Sequence, residues 1–239
     1  MRWPRWRPIL GSVGEGYEVP SLWGVKEDVY CAGKDSTFVF LEDVLTEVTD
    51  LFPYGLVHIG GDECPKARWK ECPRCQRRMR DEGLGSEEEL QSYFVRRIER
   101  FLASRNRRMV GWDEIRQGGL SETAIVLSRK REQGLRSALE NGNDVIMTPY
   151  LNCYFDYYQG SRETEPLAFG GFLPLRTAYD LDPFEGLNAE HRAGFWACSA
   201  TCGPNSLRRS TMPSICCCPD WRLSPNGLGR EAKGTIPIS

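Results

Sequence analysis

The sequence predicts an α/β fold, part of a (β/α) barrel. Three observations point there. Apolar runs of strand length recur through the middle of the chain. Stretches with helical spacing and helical length lie between them. Acidic and aromatic residues cluster just after the apolar runs, where a parallel barrel gathers its functional side chains.

The first strand is Leu56-Val57, which runs into His58-Ile59-Gly60-Gly61-Asp62-Glu63. Neighbouring side chains on a strand point to opposite faces, so Asp62 and Glu63 meet one ligand only where the strand has become a loop. Gly60 and Gly61 permit that turn and are expected to leave room for a ligand near the backbone. An isolated Asp-Glu pair is more often a solvated charge at a helix start, where it suits the dipole. The apolar run and double glycine weigh against that reading here.

The next element is a helix within residues 86–108. Leu90, Tyr93, Phe94, Ile98, Phe101 and Leu102 recur at roughly helical spacing, with charges between. Met109-Val110-Gly111-Trp112-Asp113-Glu114-Ile115 then repeats the pattern of strand, glycine, aromatic and acid pair. Residues 124–128 read as a third strand, residues 132–141 as a helix closed by Gly142, and residues 144–149 as a fourth strand. The last runs into the aromatic loop Tyr154-Phe155-Asp156-Tyr157-Tyr158-Gln159.

Three motifs, HIGGDE at 58–63, GWDEI at 111–115 and DVIMTP at 144–149 followed by YFDYYQ, resemble the family 20 glycoside hydrolases, the β-N-acetylhexosaminidases. The resemblance spans residues 14–188. It implies that the four strands are approximately strands four to seven of a (β/α)8 TIM barrel, and that residues 14–190 form a partial catalytic domain. It also implies hydrolysis of terminal β-linked N-acetylhexosamine by substrate-assisted retaining catalysis, outside the usual two-carboxylate scheme.

By position, Asp62 corresponds to the carboxylate that orients and charge-stabilises the substrate's acetamido group, and Glu63 to the general acid/base. Trp112 corresponds to a wall of the sugar pocket, Tyr154 to a hydrogen-bond partner of the acetamido group, and Asp156 to a carboxylate binding sugar hydroxyls. The bland alternatives are a core aromatic at Trp112 and a packed aromatic cluster around Tyr154. An acid in the role of Glu63 is expected to have a raised pKa, through burial or the nearby charge of Asp62. No metal or organic cofactor is implied, because the substrate supplies the nucleophile. The implied partner is a glycan or chitooligosaccharide with a terminal N-acetylhexosamine.

The chain departs from that pattern in three places. Leu127-Ser128-Arg129 puts an arginine where the family has Met-Ser-Trp. A cation there removes stacking area and is expected to need solvation. Residues 1–13 have no periodicity and lack the long apolar core of a signal peptide, although members of this family are often exported. Read two bases later, one permitted coding of the first eleven residues gives Ala-Met-Ala-Ala-Leu-Ala-Ala-Tyr-Pro, similar to a family segment after the third strand. Residues 191–239 are likewise expected to be irregular. A shifted coding from Gly194 permits Val-Leu-Gly-Val-Gln-Cys-Asn-Leu-Trp-Thr-Glu-Phe, similar to the eighth strand. Both ends are therefore expected to be out-of-frame translations. The contrasting reading is a catalytically dead barrel fragment with at most weak sugar binding, its four strands leaving two open edges. As written, the chain is expected not to turn over an aryl β-N-acetylglucosaminide.

A net charge of −2 gives no charge-driven nucleic-acid or membrane partner. No apolar run approaches the ~20 residues of a membrane span. Of the ten cysteines, Cys198, Cys202 and the run 216–218 fall in the suspect tail and are not read as a metal site. Cys72-Pro73-Arg74-Cys75 has zinc-ligand spacing, with Cys64 just before it. No fourth ligand is evident, so free thiols are expected ahead of a disulfide or a zinc-binding interaction module built on Cys64, Cys72 and Cys75.

Overall fold

The structure is a computed structural model and describes residues 24–130, 133–188, 191 and 194–198. The expectations for residues 1–13, and for the tail beyond 198, lie outside the described residues.

Five parallel strands form one sheet in chain order. They are β1 (Leu56–His58), β2 (Arg108–Trp112), β3 (Ile125–Ser128), β4 (Asp144–Met147) and β5 (Phe195–Cys198). Strict sequence order with every neighbour parallel is the arrangement of a barrel arc, and it accords with the α/β barrel expected. The first four strands fall where the apolar runs predict.

β5 was not anticipated. It lies in the stretch expected to be irregular, yet it pairs with β4 through Val145 and Phe195, Ile146 and Ala197, and Met147 and Cys198. The physical reason is twofold: Phe195-Trp196-Ala197-Cys198 is a continuous apolar run of strand length, and β4 offers it an edge. A register shift between Val145 and Ile146 accommodates the pairing.

Helices fill the crossovers. After α1 (Asp35–Leu51), two short helices, α2 (Ala67–Glu71) and α3 (Pro73–Asp81), precede the long α4 (Glu87–Ser104), which leads into β2. α4 starts where its sequence dictates. The Ser86 hydroxyl accepts the Glu89 amide N–H at 3.2 Å, and the Glu89 carboxylate accepts the Gly85 N–H at 2.9 Å. Three consecutive glutamates in the first turn suit the helix dipole. Its apolar face buries Leu90, Val95, Ile98 and Leu102. α5 (Gln133–Glu140) connects β3 to β4, and the short α6 (Tyr150–Cys153) and α7 (Leu175–Tyr179) follow β4.

One core cluster joins Phe38 of α1 and Val95, Ile98 and Leu102 of α4 to Met109 of β2 and to Ile115. A second joins Val126, Val145 and Met147 of the sheet to Leu135 and Ala138 of α5. Burying side chains of this size stabilises by roughly 2 kcal/mol each. At the strands' N-terminal ends, Arg108 pairs with Asp144 at 2.7 Å and donates to the Thr123 carbonyl, spanning β3. Among the described residues β1 is an edge strand, and Leu56 and His58 are exposed on it. No helix of the described residues is long and apolar enough to cross a membrane.

Candidate active site

The C-terminal ends of β1 to β4 carry the chemistry-bearing side chains. Asp62 and Glu63 follow β1, Asp113 and Glu114 follow β2, Arg129 follows β3, and Tyr150, Tyr154 and Asp156 follow β4. A cavity of about 570 Å³ opens there, lined by Glu63, Asp113, Glu114, Arg129, Tyr154 and Tyr157 among others.

Gly60 and Gly61 both take the positive φ that the turn needs, 73° and 90°, and a Cβ on Gly60 would meet only Asp62 Oδ1, at 3.7 Å; Gly61, together with Gly111, has a use other than making room. A Cβ on Gly61 would stand 2.3 Å from Ile115 Cγ2, and a Cβ on Gly111 would stand 2.8 Å from Ile115 Cδ1. The space beside both glycines is therefore filled by Ile115, which is fully buried, rather than left for a ligand. One side chain locks the two acid loops together.

α4 holds the same loops from behind. The buried Gln91 donates to the Gly61 carbonyl at 2.8 Å and accepts from Lys66, whose ammonium also donates to the Cys64 carbonyl at 2.8 Å. The adjacent Ser92 donates to the Gln117 carbonyl at 2.6 Å, just after the second acid pair. Sequence reasoning missed both residues. The available signal was two polar residues directly after the buried Leu90.

Arg129 joins the two acid pairs. Its guanidinium lies 2.6 Å from Glu114 Oε1, 3.2 Å from Asp62 Oδ2 and 3.9 Å from Asp113 Oδ1. It also stands 4.7 Å above the centre of the Trp112 ring. The expectation of a cation in need of solvation is corrected: Arg129 is ion-paired and largely buried. Trp112 takes its other neighbour, His58, edge-on at 5.2 Å. The His58 Nδ1 accepts the Gly60 N–H at 3.0 Å, which places its neutral-state proton on Nε2.

Of the five expected site residues, two line the cavity, two lie against Arg129, and Asp156 does neither. Glu63 and Tyr154 line the cavity. Asp62 and Trp112 lie against Arg129, outside the lining. Glu63 is exposed, with a left-handed backbone at φ 47°. A non-glycine residue there stores about 1 kcal/mol or more of strain, a feature that gathers at functional sites. The burial expected to tune an acid falls instead on Glu114. Desolvation pushes its carboxyl above the usual range, Asp113 adds to the shift, and Arg129 opposes it. Burial also raises Tyr154 and Asp156. Asp156 Oδ1 and Glu114 Oε2 are buried without a hydrogen-bond partner among the described residues. Both oxygens have unused acceptor capacity.

The cysteine grouping expected at Cys64, Cys72 and Cys75 is not the one formed. Among the described residues, the cluster able to hold a metal is Cys31, Cys72 and Cys75.

Parallel strands in chain order, with acids and aromatics collected at their C-terminal ends, define a (β/α)-barrel enzyme domain. The chain belongs to glycosyl hydrolase family 20, whose catalytic-domain model matches residues 12–200. It is 53% identical over 177 residues to a β-hexosaminidase of Porphyromonas gingivalis, covering 74% of this chain and 23% of that protein. It is 36% identical to a β-hexosaminidase of Vibrio furnissii, covering 68% of this chain and 27% of that protein. The chain thus spans about a quarter of the length of these curated relatives. Among solved structures it resembles a family 20 exo-β-N-acetylglucosaminidase from Vibrio harveyi in complex with N-acetylglucosamine. The TM-score is 0.67 at 31% identity, covering 73% of this chain and 28% of that one. It also resembles a Flavobacterium johnsoniae chitobiase, with a TM-score of 0.69 at 27% identity, covering 84% of this chain and 29% of that one.

Proposed function

We propose that this chain carries the catalytic centre of a β-N-acetylhexosaminidase that removes terminal β-linked N-acetylhexosamine from glycans or chitooligosaccharides. The observation that carries this is one cavity at the C-terminal strand ends. It holds Glu63 and Tyr154, with Asp62 and Trp112 directly behind Arg129. The acetamido oxygen of the substrate attacks the anomeric carbon while Glu63 passes its proton to the leaving oxygen. Asp62 faces the acetamido nitrogen as positive charge develops on the ring that forms. Glu63 then takes a proton from water as that water opens the ring, so the anomeric configuration is retained. Trp112 packs against the sugar, Tyr154 donates to the acetamido oxygen, and Asp156 accepts from a sugar hydroxyl.

Arg129 opposes this chemistry in the present chain. It occupies the Asp62 carboxylate and covers the Trp112 face, the two surfaces the acetamido group needs. The expected rate on 4-nitrophenyl β-N-acetylglucosaminide is therefore near background. Arg129→Trp is expected to raise kcat/KM by about 10²-fold or more, equivalent to about 3 kcal/mol of transition-state stabilisation. Adding Glu63→Gln is expected to abolish the gain. Activity in the parent chain that survives Glu63→Gln would sink the assignment. That residues 1–13 and 191–239 are read out of frame also stands as a proposal. Sequencing the DNA across codons 10–14 and 190–195 tests it, since an intact frame overturns it.

A further inference from the structure

Apart from the residues that line the carboxylate cavity, three thiols from two distant parts of the chain converge. The Cys31 Sγ lies 3.7 Å from the Cys72 Sγ and 3.6 Å from the Cys75 Sγ, and all three sulfurs lie within 4.8 Å of one another. Their residues are 0%, 1% and 0% exposed. We propose that Cys31, Cys72 and Cys75 bind a single zinc ion that staples the segment before α1 to the start of α3.

The spacing fits the ion. A tetrahedral zinc with Zn–S bonds of about 2.3 Å holds its sulfurs about 3.8 Å apart. Cys72 is the N-cap of α3 and Cys75 lies one turn on, so both sulfurs fall on the same side of the helix start. Pro73, in the first helical position, fixes that start. The third ligand is delivered by a close approach that tolerates no side chain. A Cβ on Gly33 would stand 2.2 Å from the Arg74 carbonyl carbon and 2.6 Å from the Cys75 nitrogen. Cys64 is half-buried against the same cluster but outside the converging trio, so the fourth position falls to water. Soft sulfur ligands in a tetrahedral frame select zinc over magnesium or calcium. On binding, three S–H bonds give way to three Zn–S bonds, and three protons pass to solvent. The bland alternative is three thiols packing as small hydrophobes with Ala32, Trp69, Met79 and Leu90.

The test uses the full chain, purified under reducing, chelator-free conditions. Elemental analysis is expected to find one zinc per chain, and chelation is expected to make three further thiols reactive to a thiol reagent and to lower Tm. Cobalt added to the stripped chain is expected to give the near-ultraviolet thiolate-to-metal absorption of a sulfur-ligated site. Cys31→Ser and Cys75→Ser should each lose the metal, while Cys153→Ser should keep it. Because a serine variant can fail to fold, the cobalt spectrum of the parent chain is the deciding measurement. A stripped chain that takes up cobalt without that absorption overturns the proposal. So does a Cys31–Cys72 or Cys31–Cys75 disulfide in the protein as isolated.

Discussion

The pairs Asp62-Glu63 and Asp113-Glu114 arise from the same local pattern, a strand, then glycine, then two acids, and they end in different surroundings. The first leaves Glu63 exposed on a left-handed backbone. The second buries Asp113 and half-buries Glu114, whose carboxyl is held above its usual range. Among the described residues β1 lies at the edge of the sheet and β2 lies inside it, so the second loop is packed on both sides and the first on one. The pattern places a pair at the mouth of the barrel. Asp62 and Glu114 both pair with Arg129 and are partly buried, so the contrast lies in the other member of each pair, Glu63 exposed and Asp113 buried.

The sharpest way to break the comparison is to separate the pairs. Gly111→Ala drives a methyl into Ile115 and is expected to cost about 2–3 kcal/mol by overpacking. Urea unfolding measures this. Ile115→Ala in the same chain should recover part of the loss, and strict additivity of the two changes would show that the clash is not the cause.

A smaller effect is expected on removing the shared cation. Arg129→Leu leaves three carboxylates facing one another and should cost about 1–2 kcal/mol, discounted for partial exposure. Glu114 should then titrate still higher, since a backbone hydrogen bond and Arg129 both lower it and only the first would remain. A carboxyl with a raised folded pKa binds its proton more tightly in the native state. Its contribution is therefore full below the ordinary value of 4.5 and is lost as pH rises through the folded value. Arg129→Leu should extend that loss to higher pH. Carboxyl NMR titration together with stability at several pH values reads it, and an unmoved Glu114 would refute the pairing.

The smallest effect sharpens the contrast. Gln91→Leu deletes the bond to the Gly61 carbonyl and should cost about 1 kcal/mol, loosening the first acid loop only. Ser92→Ala should loosen the second only. Amide hydrogen exchange at each loop distinguishes them, and equal effects on both loops would contradict the division.

Much of this was legible in the sequence, and the exceptions have two kinds of cause, local and distant. Strands β1 to β4, α4 and α5 carry their periods locally, and their loops announce themselves in HIGGDE and GWDEI. α1 escaped notice because Val39 and Val44 face solvent while Thr37 and Thr49 are buried, which blurs the apolar stripe. β5 escaped notice because its four-residue apolar run sits in a stretch that reads as irregular. The use of Gly61 and Gly111 depends on Ile115, and the partners of Arg129 come from two other strands. Cys31 meets Cys72 across 41 residues of chain. The last three are chiefly properties of contacts distant in sequence, which a local reading does not contain.

Gln91 and Ser92 are consecutive residues, so their side chains leave α4 about 100° apart around its axis. One peptide unit therefore sets the separation of the two loops, as a single pivot sets two arms. Any fraying that reaches this turn releases both loops at once, while the sheet beneath keeps its hydrogen bonds. The mouth of the barrel should then open as one cooperative unit, at a free energy below that of global unfolding.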